Sequence, residues 1–435
     1  VEYFTRPLEG SMKKALIIVL SFILTIGLAG CASPVMAQVI MSEKDRETEP
    51  DVSRLDLDQL VSGNSQFAFD LYQVLKAEEG NLFYSPYSIS AALAMTYAGA
   101  RSETEQEMAN ALSYYLSQNA LHPAFNKLDL ELAMRGEGAS NTEGEGFQLH
   151  VTNAIWGQKD YDFLEDYLDL LAENYGAGLR VLDFINHSEK SREFINQWVS
   201  EQTEGRIEDL IPKGGVNAYT RLVLTNAIYF NAAWKSPFDE ERTQNGEFYL
   251  ADGNSITVPM MNQTKYFGFY NDGDSIVVEL PYDGDELSMV IFANRDGSFS
   301  AFEDSLDWQK VEKLLDKIQN TRITLTMPRF EFESEYGLRE TLMSMGMEQA
   351  FADSADFSGI NGNRELLIQD VVHKAFVSVD EAGTEAAAAT GVILGTVSVA
   401  PAPLVVTLDS PFVFLIRDIE TGAILFAGRV MNPAA

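Results

Sequence analysis

Residues 380–391 read DEAGTEAAAATG, and from Gly391 the chain continues GVILGTVSVAPAPLVV (391–406), sixteen residues without a charge. Alanine is the best helix former, so Ala386, Ala387, Ala388 and Ala389 suit a short helix with Thr384 as its N-cap. Two features oppose that reading. Gly383 is poor helix material, and beyond Thr390 there is no helical period, while Gly391, Gly395, Pro401 and Pro403 spoil a settled strand. Apolar chain of this length should be buried or paired. The segment therefore reads as an exposed, metastable strand still waiting for its place.

The remainder is mixed α and β. Helical periodicity marks 64–75, where Phe67, Leu71, Val74 and Leu75 share a face, and 162–175, 188–204 and 306–320. Residues 88–112 read as two helices broken at 99–102, with Thr104 placed to cap the second. Strand patterns occupy 147–157, 221–231, 275–282, 287–294, 322–334, 373–381, 404–418 and 423–430. There is no fixed-period repeat, no long linker and no regular βαβ alternation. These features predict one large α+β domain over 55–435.

The N-terminus reads as a targeting segment. Lys13 and Lys14 follow Met12, then an apolar stretch too short for a comfortable membrane span ends in Leu28-Ala29-Gly30-Cys31. That ending resembles the prokaryotic lipobox, in which the cysteine is lipidated and becomes the first mature residue. Cys31 is the only cysteine, so no internal disulfide is available. An ordinary cleaved signal, cut after Ala37, is the alternative. Residues 1–11 read as an upstream extension, residues 1–31 as the export signal, and 32–54 as a solvated acidic tether. The chain is expected at the cell surface or outside the cell, touching membrane only through a lipid anchor.

Composition excludes several functions. With 31 basic against 65 acidic residues the formal charge is −34, which repels nucleic-acid backbones and anionic surfaces. The apolar share of 46% is ample for a core. The four histidines, His122, His150, His187 and His373, form no HExxH pattern, and there is no Gly-x-Ser-x-Gly elbow or P-loop. The glycine-rich loop at 135–146 follows no apolar strand, so it is no phosphate-binding fingerprint. A carboxylate pair assembled in space stays open. No metal site, cofactor or catalytic residue is predicted.

Six segments together resemble the serpins, serine protease inhibitors of the suicide-substrate type. They are NLFYSPYSISAALAMTYAGARSETEQEM (81–108), INQWVSEQTEGRIEDLI (195–211), LTNAIYFNAAWKSPF (224–238), ADFSGI (355–360), VVHKAFVSVDEAGTEAAAATG (371–391) and DSPFVFLIRD (409–418). The resemblance implies an α+β fold of three β-sheets and about nine helices with an exposed reactive-centre loop. A protease cleaves the loop and forms an acyl-enzyme, and the loop then inserts into the central sheet as an added strand. The target class is a serine protease with a small apolar S1 pocket, elastase-like or subtilisin-like, with cysteine proteases also open to trapping. The inhibitor is expected to act as a monomer.

The residues suit that insertion. In an inserted strand Thr384, Ala386, Ala388, Thr390, Val392 and Leu394 face inward and carry no charge, while Glu385 faces water. Gly383 lets the backbone turn into the sheet. Family spacing makes Glu381 the start of the hinge, the seventeenth residue before the cleaved bond, which is then Val397–Ser398. Because the stretch from Val397 to Pro411 looks about three residues longer than in well-known members, Thr396–Val397 and Val399–Ala400 stay open. The resemblance also assigns Ser85, Ser88, Asn226 and His373 to the shutter beneath the central sheet, and Trp234 to the breach where insertion starts. A serpin-fold protein without inhibition, such as a carrier or folding helper, is the alternative; such proteins usually carry charge or bulk at inward hinge positions, which this hinge does not.

Overall fold

The computed structural model describes residues 37–136, 148–294, 298–384 and 402–435. The first strand, β1 (Gln38–Ile40), precedes helix α1 (Arg54–Leu75), which starts where the Ser53 hydroxyl accepts the Asp56 amide. Strand β2 (Leu82–Tyr84) leads into α2 (Pro86–Tyr97), whose first turn combines the Ser85 cap with Pro86, a proline whose missing N–H costs nothing there. Helices α3 (Ser102–Ala111) and α4 (Gln118–Ala133) follow, then β3 (Gln148–Gln158), α5 (Glu165–Tyr175), β4 (Leu179–Leu182) and α6 (Phe184–Gln202).

The second half is strand-rich: β5 (Leu222–Ala233), β6 (Gln244–Tyr249), β7 (Ser255–Asn271), β8 (Ser275–Pro281) and β9 (Leu287–Asn294). After α7 (Phe299–Asp304) and α8 (Trp308–Leu315) come β10 (Gln319–Pro328), β11 (Phe330–Gly337), α9 (Arg339–Ser344) and α10 (Ser358–Asn361). The chain ends in β12 (Val371–Val379), β13 (Gly383–Thr384), β14 (Leu404–Thr407), β15 (Phe412–Asp418) and β16 (Ile424–Val430).

Pairing among the described residues gives two sheets. One has the order β1-β4-β3-β5-β13-β12-β11, and the other runs β14-β10-β7-β8-β9-β15-β16-β2 with β6 on the edge of β7. The three sheets expected from the resemblance appear as two because β7 is seventeen residues long. It pairs with β6 near its start, with β10 through its middle and with β8 at its end, joining two ladders into one. The α+β class and the interleaved helices stand as expected. Strand β16 is buried at every position, as befits a strand covered on both faces, and its Phe426 stacks on Phe83 at 5.0 Å.

Several boundaries differ from the sequence expectation. The single strands predicted over 322–334 and 404–418 are each two strands, because at Arg329 the chain crosses from β10 in one sheet to β11 in the other, and at residues 408–411 it breaks between β14 at a sheet edge and β15 inside the same sheet. Thr104 does not cap α3; it lies inside the helix, buried, and its hydroxyl accepts the Asp356 amide at 2.9 Å. Residues 380–384 form a turn and a short strand rather than a helix.

Of the solvated tether expected over 32–54, residues 37–54 are described, and part of them packs on the fold. Gln38–Ile40 pairs antiparallel with Leu179–Val181 as an edge strand. Lys44 bridges Asp169 (3.1 Å) and Glu173 (2.8 Å), and Arg46 holds Asp129 at 2.6 Å while donating to the buried Asn126. Basic residues in an acidic segment thus find carboxylates on α4 and α5, and residues 37–435 form one compact unit.

Candidate functional site

The residues expected to start the hinge lie at the end of β12 in the first sheet. Strand β12 rises, turns at residues 380–383, and β13 descends antiparallel to both its neighbours, pairing Gly383 with Ala233, Thr384 with Ala232, and Thr384 with Val379. Lower down, β12 and β5 are directly paired in parallel over Val371–Ala375 and Leu224–Ile228. The sheet is therefore parted at one end and closed at the other, with Gly383 and Thr384 seated in the opening.

Side chains hold the turn in place. The Asp380 carboxylate accepts the Ala382 amide (2.8 Å) and the Gly383 amide (3.2 Å). Trp234 donates its backbone N–H to the Ala382 carbonyl and its indole Nε1–H to the Asp380 carbonyl (2.9 Å). Its ring stacks on Tyr282 with centroids 4.6 Å apart, and the Tyr282 hydroxyl bonds that of Thr384 at 2.8 Å. Thr384, 1% exposed, is already inward. The expected need for glycine at 383 holds for a different reason: a Cβ there would lie 2.1 Å from the Ala232 carbonyl oxygen, so space against β5 decides it rather than a turn.

Glu381 is buried at the root of the hinge. Arg329 meets its carboxylate with two nitrogens, Nε at 2.7 Å and Nη2 at 2.5 Å, and the Thr243 hydroxyl donates to the same carboxylate. Such a two-point pair anchors geometry better than a single contact. The Glu381 carbonyl also accepts the Phe238 amide at 2.8 Å.

Beneath the closed half of the sheet, Ser85, Ser88, Asn226 and His373 come together, all fully buried. Asn226 and His373 are cross-strand neighbours on β5 and β12, and Asn153 is the partner of Asn226 on β3. His373 donates from Nδ1 to the Asn226 carbonyl oxygen, because its Nε2 is occupied in accepting the Ser85 amide at 3.1 Å. Asn226 donates to Ser88 and to Asn153, and the Ser85 hydroxyl donates to the Leu425 carbonyl at 2.7 Å. The neutral imidazole is the species these bonds fit, and burial pushes His373 down to about 3.

The pH consequence has a definite sign. With its folded pKa below the ordinary value near 6.5, His373 contributes fully above that value, and its contribution is lost as the pH falls toward about 3, at about 1.4 kcal/mol per unit. His373→Gln should therefore show a smaller fall in thermal midpoint between pH 7 and pH 4.5 than the parent protein. Equal falls would mean that His373 is not a titrating element.

Sequence reasoning missed Asn153, Arg329, Thr243 and Tyr282. A signal for the first was present: Thr-Asn-Ala-Ile occurs at 152–155 and again at 225–228, and the two copies run antiparallel on adjacent strands with Asn153 opposite Asn226. Nothing local marks the other three. Ala386, Ala387, Ala388, Ala389, Thr390, Val397, Ser398 and Cys31 lie outside the described residues. Among the described residues, no cluster of three or more His, Cys, Asp or Glu side chains is placed to hold a metal, and no helix is long and apolar enough to cross a membrane.

Comparison with known proteins identifies the family. The profile of the serpin (serine protease inhibitor) family matches residues 62–433. An uncharacterized serpin-like protein of Thermococcus kodakarensis is 42% identical, with 86% of each chain covered. Leukocyte elastase inhibitor A of Mus musculus is 40% identical over 87% of this chain and 100% of its own. Among solved structures, the native state of tengpin, a thermophilic serpin, has a TM-score of 0.78 at 27% identity, covering 92% of this chain and 100% of that one. The chain belongs to the serpin family.

Proposed function

We infer that the protein is a suicide-substrate inhibitor of elastase-like or subtilisin-like serine proteases, and not itself an enzyme. The observation that carries this is the register of β13. Continuing it downward by six residues takes Thr384 to Thr390, Val379 to His373 and Ala232 to Asn226. An inserting strand would thus bring a small hydroxyl residue between the two side chains that latch β5 to β12. The residues that precede it on the inward face, Ala386 and Ala388, are small enough to pass between close-packed strands.

In the chemical step the protease serine attacks the Val397 carbonyl and forms an ester, while the Ser398 amine leaves with the proton passed on by the protease histidine. Insertion would then drag the ester away from the triad and oxyanion hole, so water is no longer activated and the ester persists. Displacement by about 1 Å can already cost a hundredfold in rate. Valine suits a small apolar S1 pocket, and the curated relatives include leukocyte elastase inhibitors of mouse and human.

The test is incubation with an elastase-like and a subtilisin-like protease, followed by denaturing electrophoresis and mass analysis of the released fragment. An SDS-stable complex and a C-terminal fragment beginning at Ser398 are expected. Cleavage with no complex removes the inhibitory reading, and a different first residue moves the scissile bond to Thr396–Val397 or Val399–Ala400. We further propose export with a lipid anchor on Cys31. Cys31→Ser should release the protein from the membrane fraction, and an unchanged distribution counts against the anchor.

A further inference from the structure

We propose that a cleft of about 600 Å³ beside the breach is a binding site for an aromatic organic anion, a carboxylate or sulfonate on a ring body. The cleft lies where β7, β8 and the start of β10 meet. Trp234, Phe267, Leu280 and Ile318 supply its apolar surface, and exposed Tyr266 extends one wall. Gly268 forms its tightly packed floor: a Cβ at that position would lie 2.6 Å from Ile318 Cγ2 and 2.8 Å from Glu279 Cβ, so only glycine lets those two side chains close over the strand.

Charge selects the ligand. Glu279 is the carboxylate of the cleft, and it is neutralised by Arg417 at 2.7 Å and a hydrogen bond from Ser288 at 2.8 Å. Lys235 at the rim is paired with Asp285. Lys265 lines the cleft with no ion pair or hydrogen bond from its ammonium among the described residues. In a chain of net charge −34 this is a local reversal of sign: one uncompensated cation beside an aromatic, partly apolar hollow. Pockets of this kind bind through apolar contact and take their specificity from a few polar groups. A ring body would fill the hollow against Tyr266 and Phe267, and its anionic group would sit at Lys265. The site is independent of protease inhibition, although Trp234 is shared with the breach.

The test is titration of the intact protein with 8-anilinonaphthalene-1-sulfonate and with the neutral N-phenyl-1-naphthylamine, which lacks the sulfonate. At about 0.15 M salt the Debye length is about 8 Å, so the distant carboxylates are screened and the cleft's own charges dominate. One saturable site for the sulfonate is expected. Lys265→Gln should weaken it about five- to tenfold, Lys265→Arg should restore it, and the neutral dye should not distinguish the three proteins. Lys265 is exposed on β7, so these changes leave the core intact. Equal sulfonate affinity in Lys265→Gln and the parent protein would overturn the proposal. So would neutral-dye binding as tight as that of the sulfonate.

Discussion

Thr384→Arg is expected to convert the protein from an inhibitor into a substrate. Thr384 is 1% exposed, held between Ala232 and Val379 and bonded to Tyr282. An arginine there either buries a guanidinium without a partner, at an effective penalty of several kcal/mol, or leaves the sheet and takes the seated hinge with it. Both outcomes delay insertion. Each 1.36 kcal/mol added to the insertion barrier costs about tenfold in rate, so a penalty of about 3 kcal/mol slows trapping by about a hundredfold. Deacylation by the undistorted triad is unaffected and wins the competition. Cleavage itself should survive, because Val397 lies well beyond the hinge in the sequence.

The measurement is the stoichiometry of inhibition together with recovery of active protease. Thr384→Ser, which keeps the hydroxyl, should behave like the parent. Glu385→Arg is the second control, since the opposite parity puts it on the other face of an extended strand. If Thr384→Arg forms stable complex at the parental stoichiometry, insertion through this residue is not the mechanism.

Cleavage within residues 391–400 is expected to raise the thermal midpoint. Most proteins lose stability when nicked, because the unfolded chain gains freedom. Here the sheet is parted at Ala232–Ala233 and closed only over Val371–Ala375, so a freed loop can replace one direct ladder with two. At about 0.5–1.5 kcal/mol net per hydrogen bond, the gain is on the order of ten kcal/mol. At about 2 °C per kcal/mol for a large domain, that corresponds to a rise of about 20 °C. Calorimetry before and after limited cleavage reads it directly. An unchanged or lower midpoint would favour a serpin fold that does not inhibit.

The residues that give the hinge its character were legible in the sequence. Small size, absence of charge and alternation are properties of consecutive positions, and Thr384, Ala386, Ala388 and Thr390 display them without any knowledge of neighbours. The same holds for the periodic helices. Where the reading erred locally, a longer-range partner had overridden propensity. Thr104 serves Asp356 rather than its own helix end, and the acidic N-terminal segment lies on α4 and α5 because its few cations meet carboxylates there.

What only the tertiary structure decided is which residues meet. Ser85 and His373 are 288 positions apart, Asn226 and His373 147, and Glu381 and Arg329 52. Their pairing depends on which strands lie side by side. A strand's own pattern states which face is buried but not which neighbour it takes. That choice is settled by burial and closure of the whole chain. The sequence by itself determined that the stretch from Thr384 to Thr390 is small and uncharged at alternate positions. The assembled sheet determined that Gly383 and Thr384 are already inside, that Trp234 and Tyr282 hold them there, and that Asn226 and His373 close the way ahead, because these contacts form only once distant strands are brought into register.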